Sequence, residues 1–270
     1  MRCSVVAAGV LVLLGCGCAR SKSASLTLSG STSLQPLAEK WAEAYRTRHA
    51  GFNVAVQGGG STAGVQATLS GTAQIGMVSR ALTAAERQQV REIVVARDAI
   101  AVVVHPSNPI ADLRVDDVRD LYAGATGNWQ QLGGPARAVT LITREEGSGT
   151  RAAFEGLVMR GSVIAGGALV QDSTGAVRQM VGSDPAAIGY ISLGLVDASV
   201  KALRLNGVRP TEQSIEQERY ALIRSFLFAV RGKPSREANQ FIVWINGPEG
   251  AALTRAEGFL PASDRSHATP

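Results

Sequence analysis

From Ser25 onward, short runs of period-two or wholly apolar residues alternate with stretches whose apolar positions recur every three or four residues. Ser25-Leu-Thr-Leu-Ser29 alternates strictly and predicts a strand, after which Leu37, Trp41, Ala44 and Tyr45 share one face of a helix over 36–45. Phe52 to Val56 and Gln74 to Val78 predict further strands, with a helix over 62–69 between them. Another helix starts near Thr83, where Thr83-Ala-Ala-Glu86 fits the Ser/Thr-x-x-Glu capping box. The apolar run 99–105 predicts a strand that ends at the turn cluster Pro106-Ser-Asn-Pro109. A second series follows: a helix over 115–122, strand 138–143, helices 150–159 and 174–181, strands 187–191 and 222–230, and helices 236–245 and 248–257. Strands alternating with helices predict an α/β fold. Trp41, Tyr45 and Phe154 are read as core, Trp129 as a packing anchor, and helix 236–245 as a packed cap.

The N-terminus has a different plan. Arg2 precedes an apolar run over 5–14, too short for a bilayer span of roughly 20 residues, and this reads as an export signal. Leu13-Leu-Gly-Cys16 resembles a bacterial lipobox, so residues 1–15 are expected to be a lipoprotein-type signal peptide and Cys16 the lipidated residue. Cleavage after Ala19 is the alternative. Residues 16–25, ending in Ser-Lys-Ser-Ala-Ser, are expected to form a polar tether. The expected location is the periplasm or cell envelope, with a lipid anchor at Cys16.

Composition narrows the chemistry. With 45% hydrophobic and 18% charged residues among 270, intrinsic disorder is excluded. A formal charge of +5 without a Lys/Arg run argues against nucleic acid as a partner. Cys3, Cys16 and Cys18 are the only cysteines, which leaves the folded body without a thiolate metal site, a disulfide framework or a cysteine nucleophile. His49, His105 and His267 lack metal-ligand spacing. Neither a metal nor a cofactor is expected.

Small-residue loops lie at the strand-to-helix junctions Gly30-Ser-Thr-Ser33, Gly58-Gly-Gly-Ser-Thr62 and Arg144-Glu-Glu-Gly-Ser-Gly-Thr150. Glycines let backbone approach, hydroxyls donate, and helix N-termini carry free N–H groups, a combination suited to an anion. Any one such loop is also an ordinary N-cap; together, and with Arg144 as a fork of donors, they converge on an oxyanion. Enzyme motifs fail on particular residues. After Gly58-Gly-Gly60 no acid follows until Glu86, as a dinucleotide site would need earlier. Loop 144–150 has no Lys after its glycines, and no G-x-S-x-G elbow occurs.

In order and spacing these loops resemble the periplasmic phosphate-binding proteins that feed phosphate ABC transporters. The resemblance is carried by Gly30 to Trp41, by Gln57 to Gly64 with Gly71 to Met77, by Thr143-Arg-Glu-Glu-Gly-Ser-Gly-Thr-Arg151, by Asn128-Trp129 with Leu132 to Pro135, and by Ala187 to Gly194. It implies a two-lobe periplasmic-binding-protein fold of type II, with crossing strands near Ala101–Val104 and Phe226–Phe228. Lobe one would be 26–102 plus 226–270 and lobe two 103–225.

It also implies phosphate contacts from Thr32 and Ser33, from Ser61 and Ser79, and from Ser148, Gly149 and Thr150, with Arg144 as the charged partner held by Glu146. Some members have an Asp where Ser79 stands here, and that acid accepts the proton of monohydrogen phosphate. Glu145 is then a candidate acceptor or a solvated carboxylate, and Arg80 a second contact or the partner of a carboxylate across the cleft. The expected function is capture of inorganic phosphate and delivery to permease subunits in the inner membrane, by a monomer without enzymatic activity. Phosphate sensing or surface adhesion with the same pocket is the alternative, and phosphoester hydrolysis is disfavoured by the lack of a nucleophile with a positioned base.

Overall fold

The computed structural model describes residues 24–262. The signal peptide, Cys16, most of the tether and His267 lie outside the described residues. The first series runs β1 (Ala24–Gly30), α1 (Gln35–Arg48), β2 (Phe52–Gln57), α2 (Ser61–Ser70), β3 (Ile75–Val78), α3 (Ala84–Gln89) and β4 (Arg91–Val104). It continues with β5 (Asp112–Leu113), α4 (Val115–Tyr122), β6 (Thr140–Arg144), α5 (Gly149–Phe154), β7 (Leu169–Gln171), α6 (Thr174–Ser183) and β8 (Ala187–Ser192). Short strands β9 (Lys201–Ala202) and β10 (Arg204–Leu205) and helix α7 (Glu212–Glu216) precede β11 (Ile223–Val230), α8 (Arg236–Ile245), α9 (Pro248–Ala256) and β12 (Leu260–Pro261).

The main sheet has the order β2-β1-β3-β11-β4-β8-β6-β7. β1 is parallel to β2 and β3, so the loops that follow these strands open at one edge. β6 is likewise parallel to β7 and β8. The sheet is divided by β4: Arg91 to Ala99 pair with β11, and Ile100 to Val104 pair with β8. One strand thus serves two lobes, and β11 joins it from the returning chain. The exchange of partners falls between Ala99 and Ile100, just ahead of the 101–104 run, while Phe226 and Phe228 lie inside the lobe-one core.

Each lobe has its own apolar core. Trp41, Tyr45, Phe226, Phe228 and Phe241 pack with Leu26 and Leu28 in lobe one. Tyr122, Trp129, Phe154 and Tyr190 centre lobe two. Phe154 stacks on Tyr190 with ring centroids 4.0 Å apart. The buried indoles satisfy their N–H groups: Trp41 Nε1 donates to Thr254 Oγ1 at 3.2 Å and Trp129 Nε1 to the Ala186 carbonyl at 2.9 Å.

Local signals behave as their chemistry requires. At α3 the Glu86 N–H donates to Thr83 Oγ1 at 3.2 Å and the Thr83 N–H to Glu86 Oε2 at 2.8 Å, a complete capping box. The helix expected over 150–159 is α-helical only to Phe154 and continues as a π-helical turn over Glu155–Met159. β4 begins at Arg91 rather than Ala99, since Arg97 and Asp98 interrupt its apolar pattern. Among the described residues no helix is long and apolar enough to cross a membrane.

Trp41 is fully buried at the junction of α1, α9 and the sheet. Trp41→Ala is expected to lower the unfolding free energy by about 3–5 kcal/mol, read from denaturant midpoints.

Candidate functional site

The loop after β1 is shaped by close backbone approach. Gly30 has φ +136°, and a Cβ there would lie 2.3 Å from the Met77 carbonyl oxygen. The Ser31 N–H donates to that carbonyl at 2.9 Å, and Ser31 Oγ accepts from the Leu34 N–H at 3.3 Å. Thr32 and Ser33 are thereby set ahead of α1. Ser61 opens α2, where its Oγ accepts from the Ser79 N–H at 3.0 Å and lies 3.3 Å from Ser79 Oγ.

The third loop reaches these groups from lobe two. Ser148 caps α5 by accepting from the Arg151 N–H at 3.2 Å. A Cβ on Gly149 would sit 2.1 Å from Ser61 Oγ and 2.6 Å from Ser79 Oγ, so only glycine allows this contact between lobes. The Thr62 N–H donates to the Gly147 carbonyl at 3.2 Å across the same seam.

Hydroxyls gather beside the seam. Ser33 Oγ lies 2.6 Å from Thr150 Oγ1 and 3.0 Å from Thr174 Oγ1, and Thr32 Oγ1 accepts from the Thr174 N–H at 3.4 Å. Arg144, at 1% exposure, donates from Nη1 to Thr174 Oγ1 at 2.9 Å. Its Nε and Nη2 reach Glu145 Oε2 and Oε1, each at 2.9 Å, and also the carbonyls of Gln171 and Asp172 at 3.3 Å.

A second buried arginine stands opposite. Arg224 on β11 is the register partner of Asp98 on β4. Its Nε donates to Asp98 Oδ2 at 2.9 Å, and its Nη1 donates to Thr150 Oγ1 at 2.9 Å and to the Ser79 carbonyl at 3.2 Å. Asp98 Oδ1 accepts from Ser192 Oγ at 2.9 Å and the Leu193 N–H at 3.2 Å. Burial pushes the Asp98 carboxyl up and the Arg224 guanidinium down, each opposed by the charge of the other.

The structure therefore brings Thr32, Ser33, Ser61, Ser79, Gly149, Thr150 and Arg144 to one interlobe seam, with Ser148 buried at the adjoining helix cap. Arg80 is engaged elsewhere: Nη1 and Nη2 donate to both Glu86 oxygens at 2.7 Å, and Nη2 also reaches Thr62 Oγ1 at 3.2 Å. Its carboxylate partner belongs to the same lobe, not to the far side of the cleft. The partner of Arg144 is Glu145, not Glu146, because the turn at Glu145 lays that carboxylate along the guanidinium edge. Each oxygen of Glu145 accepts one hydrogen bond from the Arg144 guanidinium.

Thr174, Arg224 and Asp98 are absent from the sequence reading. Ser173-Thr174-Gly175 has the hydroxyl and glycine chemistry of the other loops, a signal open to view, whereas Arg224 and Asp98 are lone charges within apolar strands that only the fold pairs. Beside Arg224 a cavity of about 500 Å³ separates the lobes, lined by Arg80, Ala152, Ala153, Leu157 and Leu227. Among the described residues no group of three or more His, Cys, Asp or Glu could hold a metal ion.

Two lobes sharing continuous β-strands, with a polar seam between them, define a substrate-binding protein of the clam-shell type. The chain belongs to the PBP superfamily, whose domain matches residues 19–249. It is 29% identical over 249 residues to the phosphate-binding protein PstS of Bacillus subtilis (strain 168), covering 90% of this chain and 82% of that one. A Clostridium perfringens protein solved with bound phosphate matches with a TM-score of 0.86 and 33% identity, over 88% of this chain and 99% of that one. An ABC-type phosphate transport receptor from Vibrio cholerae matches with a TM-score of 0.73 and 36% identity, over 87% and 99% of the respective chains.

Arg80 beside Glu86 lowers that carboxyl from 4.5 to about 2, chiefly through the paired hydrogen bond and against the effect of burial. The resulting stabilisation is complete above pH 4.5 and is lost as the pH falls through 2. Glu86→Gln is expected to be less stable than the unaltered chain at pH 7, and the gap in denaturant midpoints should close on acidification.

Proposed function

We propose that the protein captures inorganic phosphate in the cleft between its lobes and delivers it to a membrane ABC transporter for uptake. The observation that carries this reading is the seam itself: Arg144, buried and pre-paired with Glu145, aims Nη1 into a cluster of Ser33, Thr150 and Thr174 hydroxyls. Such a set offers many donors in a water-poor setting, and a tetrahedral oxyanion uses them all. The relatives support it, being named as phosphate-binding or phosphate-transport proteins.

In this reading Thr32, Ser33, Ser61, Ser79, Ser148, Gly149, Thr150 and Arg144 form the ligand shell. Arg80 shapes the rim through Glu86 and Thr62. Lobe one comprises 26–102 plus 226–270 and lobe two 103–225, with β4 and β11 as the hinge. Binding and release, not bond-making, are the protein's chemistry: the cluster contains no nucleophile paired with a base. The chain is exported, anchored through Cys16, monomeric, and meets permease subunits in the inner membrane.

Calorimetric titration of phosphate, arsenate and sulfate tests this directly. Heat of binding with phosphate is expected, and silence at millimolar phosphate rejects the proposal. Arg144→Ala is expected to weaken binding by about 2–5 kcal/mol, as for one side of a desolvated charge pair. Gly149→Ala should also lose affinity, because its methyl would hold the third loop away from Ser61 and Ser79; unchanged affinity would show that the seam is not closed around the ligand.

A further inference from the structure

Arginine nitrogens only donate hydrogen bonds, so each hydroxyl they touch is an acceptor on that side. Arg144 Nη1 donates to Thr174 Oγ1 and Arg224 Nη1 donates to Thr150 Oγ1, both at 2.9 Å. A hydroxyl that accepts from a cation is polarised and becomes a stronger donor through its own proton. Ser33 Oγ, 2.6 Å from Thr150 Oγ1 and 3.0 Å from Thr174 Oγ1, is the shared neighbour of both polarised groups. When both threonines donate to it, its two lone pairs are filled and the Ser33 proton is left for a third group.

The carboxylates nearby offer no counterweight. Asp98 is taken by Arg224, Ser192 and the Leu193 N–H; Glu145 gives both oxygens to Arg144; Glu86 gives both to Arg80. Glu155 faces Arg151 at 2.8 Å, and Tyr220 donates to the Ile100 carbonyl at 3.1 Å. The described histidines are remote from the cluster: His49 bonds the Tyr45 carbonyl and His105 bonds Ser107 Oγ. Each of these carboxylates is thus already paired with an arginine, while Glu146 and Asp172, on the loops beside Arg144, are exposed to solvent.

The structure assigns Arg224 the role of a positioning residue: from the hinge strand it holds Thr150 as a polarised donor, and so biases the seam toward the more ionised form of phosphate. This rests on the phosphate reading above. Arg224 also bonds the Ser79 carbonyl at 3.2 Å, so one side chain fixes the ends of a lobe-one strand and a lobe-two loop together.

The test is calorimetric titration of inorganic phosphate into the full chain at pH 6 and pH 8, across the loss of the ligand's second proton. The unaltered chain should bind total phosphate roughly tenfold more tightly at pH 8, following the fraction of the competent ionic form. The double variant Asp98→Asn with Arg224→Gln removes both charges at once and leaves no lone buried ion. It is expected to bind about tenfold more weakly at pH 8, with the gain between the two pH values cut below about threefold. Thr150→Val should reproduce that flattened gain, whereas Arg224→Lys, which keeps a cation beside Thr150, should retain it. If the double variant does not fold, judged by circular dichroism, Thr150→Val and Arg224→Lys decide the matter alone.

Equal weakening at both pH values, with the gain intact, would reduce Arg224 to a structural part and overturn the assignment. An unaltered chain that binds phosphate with no gain at pH 8 overturns the ionic preference while leaving phosphate binding standing. Failure of the unaltered chain to bind phosphate at either pH removes the phosphate reading, and this inference with it.

Discussion

Removing two guanidinium groups from water is the constraint around which this molecule is arranged. Each costs several kcal/mol to desolvate, and a buried charge stripped of its partner costs about 3–5 kcal/mol. The fold meets that cost by geometry. Asp98 and Arg224 are placed opposite each other by strand register, and Glu145 is laid on Arg144 by the turn that follows β6. Both pairs are then tied to backbone carbonyls or N–H groups: Gln171 and Asp172 for Arg144, Ser79 for Arg224 and Leu193 for Asp98. The cations enter the seam already neutralised, and their remaining donor capacity is spent on threonine hydroxyls.

Close packing supplies the other half of the design. Gly149 brings the lobe-two loop against Ser61 and Ser79 at a distance no side chain permits, and Gly30 does the same for the loop after β1 against Met77. These contacts squeeze out bulk water, and in a drier setting each hydroxyl and guanidinium bond is stronger than at the surface. The aromatic cores stand behind the loops as rigid backing: Phe154 follows Thr150 on the same helix and is stacked on Tyr190, whose hydroxyl is 2.6 Å from Thr143 Oγ1 beside Arg144.

Much of this architecture was legible in the pattern of residues, for identifiable reasons. Strands β1, β2, β3 and β8 alternate or are wholly apolar, and the loops after β1, β2 and β6 concentrate Gly, Ser and Thr at strand-to-helix junctions. The first half of β4 was hidden by Arg97 and Asp98, charges whose partners, Glu218 and Arg224, lie far along the chain. Arg224 was hidden in the same way inside the apolar run of β11. Pairing between residues so distant in the chain leaves no local periodicity. Adjacent glutamates at 145 and 146 differ only in turn geometry, so the choice between them belongs to three-dimensional structure. Thr174 begins a helix like many threonines do, and only the fold carries it to Thr32 and Ser33.

The register of β11 against β4 shifts between Phe226 and Leu227, two residues beyond Arg224. Such an irregularity concentrates twist and bending at one point of an otherwise regular ladder. Mechanically, strands held in a hydrogen-bonded sheet resist sliding along their length far more than flexing across it. The lobes are thus joined by something closer to a leaf spring than to a pair of loose strings. If the proposed capture and release part the lobes, bending of this shared strand pair would let the loops separate and meet again in the same register.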